Sequence, residues 1–111
     1  MTDKIVVMVM AGDSAEASQL AKDIVEKKLA ACVNLLPAIT SWYWWEGKVT
    51  ENQEVLLIMK TSRGKFVELQ KEVERLHSYA VPEIIALPIV EGSANYLNWI
   101  EESVTEKEVE G

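Results

Sequence analysis

The polar stretch His77-Ser-Tyr-Ala-Val-Pro-Glu-Ile84 holds the residues best suited to chemistry, and it lies between a helical and an extended segment. His77 is the only histidine and Cys32 the only cysteine. Nucleophilic catalysis needs a nucleophile beside a base, and acid–base catalysis needs paired carboxylates held in a cleft. Cys32 and His77 are the one such pair on offer. Yet Cys32 falls within Leu29-Ala-Ala-Cys-Val-Asn34, an apolar strand start where cysteine behaves as a small hydrophobe. The chain has no G-x-S-x-G, P-loop or G-x-G-x-x-G pattern. Binding is expected here rather than catalysis.

Two kinds of binding fit these residues. His77 is a candidate metal ligand, helped by a carboxylate such as Glu83, but a tight transition-metal site wants three or four ligands and no closely spaced His or Cys pair exists. The competing role for His77 is to cap a helix C-terminus, where partial positive charge meets the negative end of the dipole, and on the residues alone that fits better. A second constellation joins Lys60 and Thr61, at the end of a strand, with Tyr79, Glu83 and the aromatics Tyr43 and Trp45. These residues either line a pocket for a small anion or nucleotide or make contacts between subunits.

The elements that must position these groups can be read from periodicity. Ile5 to Met10 is a continuous, β-branched run that suits a buried strand. Asp13 followed by Glu16 makes a capping-box-like start, and Ala17, Leu20, Ala21, Ile24, Val25 and Leu29 repeat at helical spacing over residues 14–29. A strand over 31–36 is interrupted at Pro37 and resumes at Ile39. It runs through Trp42-Tyr-Trp-Trp45, turns at Glu46-Gly47-Lys48 and returns in a strand whose best part is 54–61. Phe66, Leu69, Val73 and Leu76 mark a second helix over about 63–77; residues 83–90 read as a strand that Pro88 confines to an edge. Tyr96, Leu97, Ile100 and Val104 share one face of a last helix. The order is that of an α+β, ferredoxin-like βαββαβ fold: an antiparallel sheet with an extended central hairpin and a C-terminal helix.

The hairpin raises a question of assembly. Trp42 and Trp44 must point to one face of the strand and Tyr43 and Trp45 to the other. Burying one such ring removes about 150–250 Å² from water, roughly 4–6 kcal/mol at ~25 cal/mol/Å². A chain of 111 residues has little material to cover both faces of a hairpin, so another subunit is expected to do so.

Composition limits the partners. The length fits one domain over 1–111, with about 105–111 a frayed acidic tail. A net charge of −7 repels phosphate backbones and argues against nucleic acid as a partner. A single cysteine excludes an internal disulfide and suits a reducing compartment. The apolar run Ile5–Ala11 ends in Gly12-Asp13 rather than a cleavage site, and no run approaches a membrane span. A cytoplasmic protein with no membrane partner is expected.

Four stretches, Glu26–Asn34, Ser41–Lys48, Glu54–Thr61 and His77–Ile84, together with Tyr96-Leu-Asn-Trp-Ile100, resemble the CutA family of divalent-ion tolerance proteins in order and spacing. The resemblance implies a ferredoxin-like subunit, a homotrimer, and a role in copper and divalent-cation tolerance, with no required cofactor and at most weak binding of copper or another divalent cation. It places Tyr43 and Trp45 on the family's hairpin aromatics, and His77, Tyr79, Pro82 and Glu83 on its His-Pro-Tyr-x-x-Pro-Glu stretch. Ser78 stands where the family has its first proline. Of the ligands to which copper binding is attributed in the family only His77 remains, because Val9 and Leu76 occupy the other positions, with the thioethers of Met8 and Met10 close by. Trp42 takes a position where an aliphatic is usual and is expected to pack as one. The implied alternatives are a PII-like signalling module binding a small anion or nucleotide in a subunit cleft, or a scaffold with no ligand.

Overall fold

The computed structural model describes residues 2–105. Strand β1 (Lys4–Ala11) leads to helix α1 (Ser14–Glu26), and β2 (Cys32–Trp45) and β3 (Lys48–Ser62) form the long hairpin. A single 3-10 turn, Arg63–Lys65, runs into α2 (Phe66–Leu76), followed by β4 (Ile84–Pro88) and α3 (Ala94–Val104). The four strands make one antiparallel sheet in the order β2-β3-β1-β4. Among the described residues no helix is long and apolar enough to cross a membrane. The acidic tail beyond Thr105 lies outside the described residues.

Alternation along the strands decides what is buried. Ile5, Val7, Val9 and Ala11 stand opposite Thr61, Met59, Leu57 and Val55, and all eight are buried. Leu20 and Ile24 of α1 and Leu69 and Val73 of α2 complete that core. On the other face Val6, Met8, Met10, Leu56 and Ile58 are only half-buried, and Ile85 and Leu87 of β4 are exposed. Helix α3 packs against β3 with Ile100 and Val104 fully buried, and Glu101 reaches the buried ammonium of Lys4 at 3.2 Å.

Three local departures from periodicity have physical causes. Helix α1 stops at Glu26, three residues short of the expected end. Lys28 turns left-handed at φ 58°, so Lys28 N–H bonds the carbonyl of Val25 and Leu29 N–H that of Ile24. This is a Schellman closure, which still buries Leu29. In β2, Pro37 offers no ladder donor, and the register slips between Leu36 and Ile39 with Ala38 at φ 59°. Strand β4 pairs only over 84–88, with Pro88 at its end on the sheet edge.

The hairpin outruns the sheet. Strand β1 supports β3 only from Val55 to Ser62, so Ile39–Trp45 and Lys48–Glu54 pair with each other alone. That overhang is about 23 Å long at ~3.3 Å per residue. It closes through Glu46 at φ 50° and Gly47 at φ 76°, the left-handed pair that a two-residue hairpin turn demands.

Candidate functional site

The site is built where the hairpin leaves the sheet. Ser41, Tyr43 and Trp45 stand opposite Asn52, Thr50 and Lys48, and so share a sheet face with Glu54, two residues further on. That face and the loop after α2 border an open cleft of about 760 Å³, whose lining includes Met10, Tyr43, Trp45, Glu54, Tyr79 and Glu83. The Tyr79 hydroxyl donates to the Glu54 carboxylate at 2.9 Å, bridging loop and hairpin base. Burial, then the hydrogen bond to Glu54 and its charge, push the Tyr79 phenol well above the ordinary tyrosine range, so it stays a donor. Asn52 donates to the Tyr43 hydroxyl and steadies the ring on the ribbon.

His77 holds the loop. Its Nε2 lies 2.6 Å from the carbonyl of Met10, which can only accept, so Nε2 carries the proton. Its Nδ1 lies 3.0 Å from the N–H of Tyr79, which can only donate, so Nδ1 is the acceptor. Both ring nitrogens of a neutral imidazole are thereby used, and the ring stacks at a tilt on Tyr79 with centroids 4.7 Å apart. The expected cap at the end of α2 takes a different form. His77 occupies the C-cap position, but its imidazole bonds β1 and the next turn rather than the carbonyls of its own helix.

Glu16 completes the anchorage, going beyond the capping-box role that its spacing from Asp13 announces. Asp13 caps the helix by accepting from Glu16 N–H at 2.8 Å, while the Glu16 carboxylate accepts from Gly12 N–H at 3.2 Å and Ser78 N–H at 2.8 Å. Burial alone would raise the Glu16 carboxyl, but the hydrogen bonds from Ser78 and Gly12 outweigh it and hold the group below the ordinary glutamate range. Ser78, where the resemblance implies a proline, supplies one of those N–H donors.

The single chain brings Tyr43, Trp45, Tyr79 and Glu83 together and leaves Lys60 and Thr61 elsewhere. Lys60 lies six residues from Glu54 along β3, about 20 Å away, where its ammonium bonds Asn34 and approaches the Cys32 sulfur at 4.0 Å. Thr61 cannot line this cleft. It is fully buried on the helix side, with its hydroxyl donating to the carbonyl of Leu29 at 2.8 Å. Cys32 pairs across the sheet with Lys60 and Val6, about 13 Å down β1 from the carbonyl that His77 meets, so the two do not form a catalytic pair.

As a resident metal site within one chain, these residues do not fit. No lone pair of His77 is free, and among the described residues no group of three or more His, Cys, Asp or Glu is placed to hold a metal ion. Sequence reasoning had Glu54 only as the start of a strand stretch and Met10 only as a thioether near the first strand's metal position; strand register brings both into the cleft. Trp42, expected to pack like an aliphatic, is 67 % exposed in the single chain, and Trp44 is 74 % exposed.

Comparison with known proteins agrees with this architecture. Residues 5–103 match the family model described as CutA1 divalent ion tolerance protein. The divalent-cation tolerance protein CutA of Thermus thermophilus is 48 % identical over 98 residues, which is 88 % of this chain and 95 % of that protein. The CutA of Archaeoglobus fulgidus is 49 % identical over 89 residues, 80 % of this chain and 86 % of that one. The crystal structure of CutA1 from Oryza sativa superposes with a TM-score of 0.91 at 45 % identity, covering 96 % of this chain and 97 % of the other. The chain belongs to the CutA1 divalent ion tolerance family.

Proposed function

We propose that the chain acts in tolerance of, or response to, divalent metal ions, copper above all, as a homotrimer that binds a small ligand in clefts between subunits and catalyses nothing. The strand order and the helix between each outer pair of strands support a ferredoxin-like subunit. The observation that carries the assembly is the overhanging ribbon. A two-stranded hairpin is marginal in water, yet this one holds Trp42, Trp44 and Trp45 largely in solvent, beside a half-covered apolar sheet face. Edge strands β2 and β4 remain open for pairing with a neighbour. Head-to-tail contact of one edge with the other closes a ring.

The same assembly explains the scattered cleft. Lys60 meets Tyr79 and Glu83 only if two subunits contribute, one its hairpin base and the other the far end of its sheet. A PII-like module for small anions draws on that arrangement, because Lys60 is the cation it would need. The single cysteine fits a cytoplasmic setting.

Light scattering coupled to size exclusion tests the assembly: three times the 12.5 kDa of one chain is expected, and a monomer overturns it. Calorimetry with Cu²⁺ and Cu⁺ on the wild type and His77→Ala tests the loop's role. Binding that survives the substitution is expected of a tether; binding abolished by it restores His77 as a ligand.

A further inference from the structure

Both hydrogen-bond partners of the His77 ring belong to its own chain. Its Nε2–H donates to the Met10 carbonyl near the end of β1, and its Nδ1 accepts from Tyr79 N–H two residues on. The side chain has no exposed surface. A neighbouring subunit that covers the cleft therefore leaves these bonds in place. A side-chain acceptor bonded to the N–H two residues on is the geometry of an Asx turn, where asparagine or aspartate is usual. Here the imidazole supplies the acceptor, and its other nitrogen ties the turn to a strand 67 residues away. Tyr79 is thus held at both ends, by His77 at its N–H and by Glu54 at its hydroxyl, with the His77 ring tilted against it. Tyr79, Ala80, Val81 and Glu83 of this loop line the cleft and take their place from that turn.

We infer that His77 is a positioning residue for the cleft and not a metal ligand: it sets Tyr79, and through Tyr79 the loop that borders the cleft. This role rests on the cleft being the binding place, and it departs from the ligand role that the family resemblance implies. A metal-bound histidine also gives its second N–H to a carbonyl, so the bond to Met10 alone fits either role. Nδ1 decides between them. Its lone pair is taken by Tyr79 N–H at 3.0 Å. The carboxylate beside it, Glu16 at 4.0 Å, already accepts from Ser78 and Gly12 N–H. Giving up that lone pair would leave the Tyr79 N–H without an acceptor in a part-buried place, which is costly.

Amide exchange on the full chain in its native assembly separates bonding from packing. In His77→Asn the side-chain oxygen still accepts from Tyr79 N–H but the ring volume is gone; in His77→Phe the volume stays and both bonds go. The protection factor of the Tyr79 amide is expected to stay within about threefold of wild type in His77→Asn. It is expected to fall about tenfold or more in His77→Phe. Protection kept by His77→Phe, or lost equally in both variants, overturns the positioning role. Light scattering on each variant reads the assembly separately, so loss of the turn and loss of the trimer are told apart. Nitrogen NMR of the wild-type imidazole, followed as Cu⁺ or Zn²⁺ is added, needs no variant to fold. An Nε2–H tautomer with an unmoved Nδ1 resonance is expected; an Nδ1 resonance that moves with the ion overturns the assignment. Calorimetric heat from Cu⁺, Zn²⁺ or ATP with the imidazole unmoved supports it and places the ligand's contacts elsewhere. Silence to all three overturns the reading of the cleft as a binding place, while the contrast between His77→Asn and His77→Phe still decides whether the imidazole bonds hold the turn.

Discussion

Tyr79 is the residue through which the loop and the hairpin base are joined. Removing its hydroxyl leaves the buried Glu54 carboxylate without its donor, so Tyr79→Phe is expected to cost about 1–3 kcal/mol in chemical denaturation. A near-zero change would mean that water replaces the phenol freely. The raised phenol contributes stability that is present at neutral pH and is lost only as pH climbs above the ordinary tyrosine value of 10. Glu16 behaves in the opposite sense. Its carboxyl is held below the ordinary 4.5, so its bonds to Ser78 and Gly12 stabilise the fold above that pH and fade as acid protonates the group. The protection factor of the Ser78 amide, observed exchange measured against intrinsic exchange from pH 6 to 3, is expected to fall at the acid end in the wild type. In Glu16→Gln the dependence beyond intrinsic exchange should vanish. Gly12 belongs to the same knot, because a Cβ there would come within 3.3 Å of the Tyr79 hydroxyl.

The hairpin carries two of the three left-handed non-glycine residues among the described residues, Ala38 and Glu46, and the two most exposed tryptophans, Trp42 and Trp44. Glu46 sits at φ 50° in the turn, a conformation that asparagine tolerates better. Glu46→Asn is therefore expected to raise stability by roughly 0.5–1 kcal/mol, read as a higher thermal midpoint. A lowered midpoint would show that the Glu46 side chain is engaged by a neighbouring subunit. The same reasoning applies at Lys28, whose left-handed φ closes α1 where glycine is the usual choice. Ala38 takes the third such conformation, at the bulge after Pro37, and that kink sets the direction in which the ribbon leaves the sheet.

At the scale of the molecule, the sheet has one face closed by α1 and α2 and the other only partly covered. The trimer reading makes a spectroscopic prediction, since Trp42, Trp44 and Trp45 are 67 %, 74 % and 48 % exposed in one chain. In the assembled protein at micromolar concentration their emission is expected to be blue-shifted, moving red only on unfolding or dissociation. Fully red emission from a native, folded sample would count against subunits covering the ribbon. Trp45→Ala is expected to raise the dissociation constant of the assembly, measured by scattering across a dilution series. Stability by denaturation would then depend on protein concentration, as it does for any oligomer that folds and associates together.

Periodicity by itself determined the element order, the apolar stripes of the helices and the antiparallel α+β class. Each of those depends on residues a few positions apart, and the family resemblance drew on the same local strings. Tertiary structure alone decided the site. Glu54 reads only as the start of a strand until register and the loop after α2 bury it beneath Tyr79, and Glu16 reads only as a capping-box partner of Asp13 until Ser78 folds onto it. His77 was legible as important, but not as spent. Which ring nitrogen is free depends on the carbonyl of Met10, 67 residues away, and no spacing along the chain encodes that meeting. Lys60 and Thr61 are adjacent in sequence, yet alternation sends one to the open face and the other into the core. Strand periodicity states that neighbours part; only the packed sheet states which of them meets solvent and which meets the helices.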